Sequence, residues 1–342
     1  MNKDERYMLR ALELATLGRG HVSPNPMVGC VIVYEDKIIG EGYHQKYGAA
    51  HAEPNAVQSV SHQDLLKKAT LYVTLEPCAH FGKTAPCAQL IVDRQIRKVV
   101  IAVQDPNPLV GGKGIKILQE AGIEVVAGVL EKEAGIINKR FFTQIKKKRP
   151  YVILKWAQTQ DGFVARTDYN SKWISNPHSR QIVHRWRAEE DAIMVGTKTA
   201  YYDDPRLNVR YWEGRSPVRI VIDKQLTLDE NLALYDHSQP TICYNCVKEE
   251  ETDNLTWVRL SREFSIQDIL EDLHRRRIQS LIVEGGSFLL QKFISAELWD
   301  EARVFIGHVN FGSGIPAPIL KQQPSEILDI MGDRLSVYYS VE

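Results

Sequence analysis

The chain has 342 residues, 43 Lys+Arg against 43 Asp+Glu, and 44% hydrophobic residues. That length suits about two ordinary domains with full apolar cores. The zero formal charge disfavours a chain that wraps nucleic acid or lies on an acidic membrane. No apolar run approaches the roughly 18 residues a membrane span needs, and the charged first six residues predict a cytoplasmic protein rather than a secreted one. Five cysteines, Cys30, Cys78, Cys87, Cys243 and Cys246, are an odd number and a poor disulfide framework for such a chain.

Met8, Ala11, Leu12 and Ala15 recur at helical spacing, which predicts an amphipathic helix over residues 4–17. Two short apolar runs, 28–34 and 37–43, meet at Glu35-Asp36 and read as a β-hairpin. A helix is expected from His51-Ala-Glu-Pro54, where a first-turn proline is tolerated. Strands follow at 69–75, 98–103 and 123–127, with helices at 86–94 and 112–121. This alternation predicts an α/β sandwich.

The basic run Lys146-Lys-Lys-Arg-Pro150 reads as a solvated linker dividing residues 1–146 from 147–342. Beyond it the alternation restarts. Strands are expected at 151–157, 192–195, 218–223, 241–244, 280–284, 301–307 and 335–341, and helices at 177–190, 265–277 and 287–295.

The strongest chemical signal is His51-Ala-Glu53, then Pro77-Cys78, then Cys87. One imidazole and two thiolates give a tetrahedral zinc three ligands and leave a position for water, whose pKa the metal lowers toward neutrality. Glu53, two residues from His51, suits a proton shuttle that leaves the metal free. The pattern follows the zinc nucleobase deaminase signature, H-x-E…P-C-x-x-C. Here, however, eight residues rather than two separate the cysteines, and His80, Lys83 and Thr84 within them suggest part of a substrate pocket. Cys243-Tyr-Asn-Cys246 has no second ligand pair nearby and reads as two ordinary strand-end thiols.

Asn25-Pro-Met-Val-Gly29, His51-Ala-Glu53, the stretch from Glu76 to Cys87 and Asp105-Pro-Asn107-Pro-Leu-Val-Gly together resemble the deaminase half of the bifunctional riboflavin-biosynthesis deaminase–reductases. The second half resembles that family's reductase through Leu154-Lys-Trp-Ala157, Asp161-Gly162, Ser171-Lys-Trp-Ile-Ser175, Val195-Gly-Thr197, the stretch from Asp203 to Arg210 and Val283-Glu-Gly-Gly286. The resemblance implies a cytidine-deaminase-like three-layer sandwich followed by a dihydrofolate-reductase-like domain. It also implies two reactions. Zinc-dependent hydrolysis would remove the 2-amino group of 2,5-diamino-6-(ribosylamino)-4(3H)-pyrimidinone 5'-phosphate. NADPH would then reduce the ribosyl side chain, giving 5-amino-6-(5-phosphoribitylamino)uracil.

The resemblance further assigns His51, Cys78 and Cys87 to zinc, Glu53 to proton transfer, and Asn25, His44, His80, Lys83, Asp105 and Asn107 to the first substrate. In the second half Ser171, Arg187, Leu207, Arg210 and Glu284 match substrate positions, with Arg187 and Arg210 as expected phosphate partners. Trp173, Thr199, Asp203, Gly285 and Gly286 match the dinucleotide site, where paired glycines before a helix let backbone amides approach a diphosphate.

Two stretches depart from the family pattern. Thr159-Gln-Asp-Gly-Phe163 stands for the usual Ser-Leu-Asp-Gly-Lys, so an expected lysine is missing. The segment 310–316 deviates as well. The partners implied are phosphorylated pyrimidines, with neither nucleic acid nor membrane, and self-association is compatible with the sequence. The competing reading is a deaminase whose second half is a degenerate reductase-like binding module.

Overall fold

Strand–helix alternation on either side of the basic run produces two compact units, Met1–Lys148 and Arg149–Glu342. The computed structural model describes residues 1–79, 86–108, 110–170 and 173–340. The first unit runs α1 (Lys3–Thr16), β1 (Gly29–Tyr34), β2 (Lys37–Tyr43), α2 (Ala52–Ser59), β3 (Thr70–Leu75), α3 (Cys87–Asp93), β4 (Lys98–Val103), α4 (Lys113–Glu120), β5 (Glu124–Ala127), α5 (Glu131–Ile137) and α6 (Lys139–Lys147). Asn2 and Glu5 form a reciprocal capping box that starts α1. Glu35 and Asp36 both take positive φ, +46° and +62°, as a tight two-residue hairpin turn requires.

The five strands lie in the order β2-β1-β3-β4-β5. β1 is antiparallel to both neighbours, while β3, β4 and β5 are parallel. One face packs on Ala52, Ala56, Ala88, Ile91 and Leu118 from α2, α3 and α4. The other packs on Met8, Ala11, Leu12 and Ala134 from α1 and α5. The unit is therefore a three-layer sandwich, and the carboxyl ends of β3 and β4 lead straight into the stretches holding Cys78 and Asp105.

The second unit contains β6 (Tyr151–Gln158), β7 (Phe163–Ala165), α7 (Pro177–Glu189), β8 (Ala192–Gly196), α8 (Thr197–Asp203), β9 (Val218–Ile222), β10 (Thr241–Asn245), β11 (Glu250–Thr252), β12 (Leu255–Arg259), α9 (Ile266–Arg275), β13 (Ser280–Val283), α10 (Ser287–Ser295), β14 (Glu301–Ile306), β15 (Ile315–Pro316), β16 (Glu326–Ile330) and β17 (Asp333–Tyr339). A ten-stranded sheet has the order β11-β12-β10-β9-β8-β13-β6-β14-β17-β16. From β12 to β14 its strands are parallel. Late-arriving β13 inserts between β6 and β8, so the winding reverses there. Ligand crevices in open parallel sheets form at the carboxyl ends beside such a reversal.

The basic run differs from the linker expected of it. Lys146 and Lys147 close the last turn of α6, where cations complement the helix dipole. Arg149 is buried and donates through Nη2 to Asp300 Oδ1 at 2.8 Å. Asp300 also accepts the Val152 amide at 2.8 Å. The end of the run is thus an internal clamp of the second unit.

Candidate active sites

His51 is the extended N-cap of α2, Cys78 follows β3, and Cys87 is the first residue of α3. Helix start and strand end bring these distant side chains together. His51 Nδ1 lies 3.7 Å from Cys78 Sγ and 3.4 Å from Cys87 Sγ, and all three ligand atoms fall within 4.8 Å of one another. Ligand atoms on a tetrahedral zinc stand about 3.6 Å apart given Zn–S and Zn–N bonds of about 2.3 and 2.0 Å. The donor set and the two histidine–sulfur spacings therefore fit zinc. Hydrogen bonds from Cys87 and His51 hold the Cys78 thiol below its usual range. The Cys87 amide points at the same sulfur, 3.3 Å away, as at other helix starts that favour a thiolate.

Glu53 sits in the first turn of α2 and is 3% exposed. Burial, then the charge of Cys78, pushes its carboxyl up to about 7. A group poised there both accepts and returns a proton near neutral pH. His44 packs edge-on to His51, ring centroids 5.4 Å apart. Its Nδ1 donates to Ala50 O at 3.0 Å, leaving Nε2 to accept from Asn25 Nδ2 at 3.1 Å. Burial lowers the His44 pKa, favouring the neutral ring that this tautomer needs.

In the second unit Lys155 on β6, Arg187 on α7 and Glu284 after β13 form a buried charged cluster. Arg187 grips Glu284 with two hydrogen bonds, Nε to Oε1 at 3.1 Å and Nη2 to Oε2 at 2.7 Å. Lys155 Nζ stands 3.8 Å from Glu284 Oε2. Burial alone would raise the Glu284 carboxyl, but Arg187 and Lys155 together hold it down at about 2. Burial lowers Lys155 despite Glu284, and burial with the Arg187 and Arg210 charges drives His184 down to about 4. Neutral His184 accepts the Arg210 amide through Nδ1 at 3.1 Å.

Beside this cluster two strand-to-helix turns abut. A Cβ on Gly285 would stand 2.6 Å from Val195 Cα, and one on Gly286, at φ +43°, would meet Thr199 Oγ1 at 3.2 Å. Only glycines allow these two turns so close together.

Two family models match the chain: the cytidine and deoxycytidylate deaminase zinc-binding region over residues 1–103 and the RibD C-terminal domain over residues 150–330. The chain is 42% identical to the riboflavin biosynthesis protein RibD of Aquifex aeolicus, over 91% of this chain and 89% of that protein. The chain belongs to the RibD family. RibD of Escherichia coli is 37% identical over 91% and 89% of the two chains. The crystal structure of a diaminohydroxyphosphoribosylaminopyrimidine deaminase/5-amino-6-(5-phosphoribosylamino)uracil reductase from Thermotoga maritima superposes with a TM-score of 0.91 at 36% identity, covering 99% of each chain. A RibD-type fold, cytidine-deaminase-like unit first and reductase unit second, thus extends across the whole chain.

Of the residues the sequence singled out for the RibD substrates and cofactors, His51, Glu53, Cys78, Cys87, His44 and Asn25 converge on one centre. Asp105 and Asn107 are joined by a turn in which Asp105 Oδ1 accepts the Asn107 amide at 2.8 Å. His80, Lys83 and Ser171 lie outside the described residues. In the second unit Arg187 and Glu284 meet, Leu207 is buried at φ +51°, and Thr199 meets Gly286. Asp203 ends α8 one turn beyond Thr199. Trp173 stands apart, 67% exposed, with the Arg180 guanidinium 4.5 Å from its ring centre.

The Arg187 guanidinium pairs with Glu284 and also donates through Nη1 to Asn208 O at 3.3 Å. Arg210 keeps an exposed side chain.

Sequence reasoning missed Lys155 and His184. Lys155 had a signal, as the one charge in an otherwise apolar buried strand. The two departures from the family pattern prove to be neighbours. β7, which contains Phe163, pairs with β15, and Asp161 accepts the Gly312 and Phe311 amides at 2.7 and 3.1 Å. Arg166 stacks on the Phe311 ring at 4.1 Å. Cys243 and Cys246 are both free and pack on opposite faces of the sheet, so they form no ligand pair.

Proposed function

We propose that the chain catalyses two consecutive steps of riboflavin biosynthesis: deamination of 2,5-diamino-6-(ribosylamino)-4(3H)-pyrimidinone 5'-phosphate, then NADPH-dependent reduction of the ribosyl side chain to ribityl. The observation that carries the reading is the convergence of His51, Cys78 and Cys87 beside a buried Glu53 poised near neutrality, in a chain whose other half matches the RibD C-terminal domain. A deaminase with a degenerate second unit is not favoured, because that match spans residues 150–330.

His51, Cys78 and Cys87 would hold the zinc, which supplies a Lewis acid and acidifies a water. Glu53 takes the proton of the attacking water on its carboxylate and returns it to the departing amine. Neutral His44 fixes the Asn25 amide, so that its other end faces the heterocycle as a directional partner. In the second unit NADPH supplies hydride. The Gly285-Gly286 turn beside Thr199 offers backbone amides to its diphosphate. Glu284, kept ionised by Arg187 and Lys155, accepts sugar hydroxyls, and Arg210 faces the phosphate. Lys155, its pKa lowered by burial, is the proton donor to the opening sugar. A cytoplasmic setting fits five unpaired cysteines.

A coupled assay tests both halves in one sample. Ammonia release from the diaminopyrimidine should precede loss of NADPH absorbance. Ammonia without NADPH oxidation would remove the reductase half of the reading.

A further inference from the structure

Glu76, two residues before Cys78, has so far been only a letter of a matched motif. It is 5% exposed and accepts four backbone amides. Oε2 takes those of Asp105 at 3.2 Å and Gly112 at 2.9 Å. Oε1 takes those of Gly114 at 2.9 Å and Ile115 at 3.2 Å. The α4 helix starts on Gly112, which has no side chain to cap it. Its orphan amides are served instead by a carboxylate from the end of β3. Gly114 is pressed onto the Pro77 carbonyl so closely that a Cβ there would lie 2.0 Å from the oxygen. Strand end, helix start and the Asp105–Asn107 turn therefore share one carboxylate.

We propose that Glu76 is a positioning residue of the deaminase, holding Asp105 and Asn107 at a fixed place relative to the Cys78 centre; this rests on the deaminase reading above. Its role is substrate binding, because Glu76 touches the backbone of the substrate turn and no metal-ligand side chain.

Glu76→Gln tests it in the full-length zinc enzyme. An amide keeps one acceptor oxygen, so either Asp105 and Gly112 or Gly114 and Ile115 lose their partner. Expected are a deaminase KM raised about tenfold or more with kcat changed less than about threefold, and one zinc retained per chain. Amide exchange should accelerate at one of the two pairs, Asp105 and Gly112 or Gly114 and Ile115. The retained zinc reports that the first unit is folded, and NADPH oxidation by the second unit, with deaminated substrate, should stay at the wild-type rate. Gly114→Ala, which keeps the carboxylate but pushes α4 off Pro77, should reproduce the KM effect. Unchanged KM in both variants, or a fall in kcat and zinc together at constant KM, would overturn the role. A wild-type chain that releases no ammonia would instead overturn the deaminase reading, and this one with it.

Discussion

Glu53→Gln separates the two consequences of burying a carboxyl beside thiolates. The glutamine cannot carry a proton, so deamination should fall by about 10²- to 10⁴-fold while zinc is retained. The same substitution should stabilise the metal-free chain, and only at high pH. Folded Glu53 keeps its proton to about pH 7, whereas the unfolded group releases it near 4.5. Unfolding thus releases a proton between those values, and wild-type stability falls as pH rises through that window. Linkage puts the penalty at about 3 kcal/mol near pH 8 and under about 1 kcal/mol near pH 5.

Glutamine removes the penalty but adds a packing cost of its own, which is the same at both pH values. The clean quantity is the difference between them, about 2–3 kcal/mol. For a unit of this size that is about 5–10 °C in Tm. Calorimetry of the metal-free wild type and variant at both pH values, following the transition of the first unit, measures it directly. An equal Tm offset at pH 5 and pH 8 would show that Glu53 titrates like an exposed carboxyl, and the argument for its poise would fail.

Arg187→Met leaves Glu284 buried with only Lys155 at 3.8 Å. It should cost the second unit about 3 kcal/mol or more, read as a Tm loss in that transition. Lys155→Met strands no carboxylate, because Arg187 keeps its two-point grip. Stability should hardly move while NADPH oxidation falls by about 100-fold or more, with ammonia release intact. Stripping zinc with a chelator should abolish ammonia release and leave reduction of deaminated substrate untouched. Cys243→Ser and Cys246→Ser should keep one zinc per chain by metal analysis; a drop in either would reinstate that pair as ligands.

What was legible in the sequence was what is local. His51 and Glu53 share one helix start, so their spacing alone carries the chemistry, and Cys78 and Cys87 lie close together in the sequence. The Lys155–Arg187–Glu284 cluster comes from three elements that only the sheet order brings together, so no spacing reveals it. Glu76 was hidden differently. A carboxylate that binds only backbone amides leaves no pattern among the side chains it serves.

The missed elements have physical reasons too. Only the last two residues of α6, Lys146 and Lys147, fall in the run read as a linker, and their charge hid the helix that they close. α8 buries a single residue, Ala200. β11 and most of β16 lie exposed at the sheet edges, where no buried face imposes an alternation of apolar and polar residues.

The contact between Asp161 and the 311–312 backbone joins two stretches that lie 150 residues apart in the sequence. β7 and β15 pair in space, so a substitution in one is felt by the other. Gly314 passes so close to Phe163 that a Cβ on it would stand 3.2 Å from the Phe163 side chain. A lysine placed at 163 alone would therefore enter a strand pair fitted to a phenylalanine, and a new 310–316 segment alone would meet the wrong strand. The two departures form one structural unit, to be exchanged together or not at all.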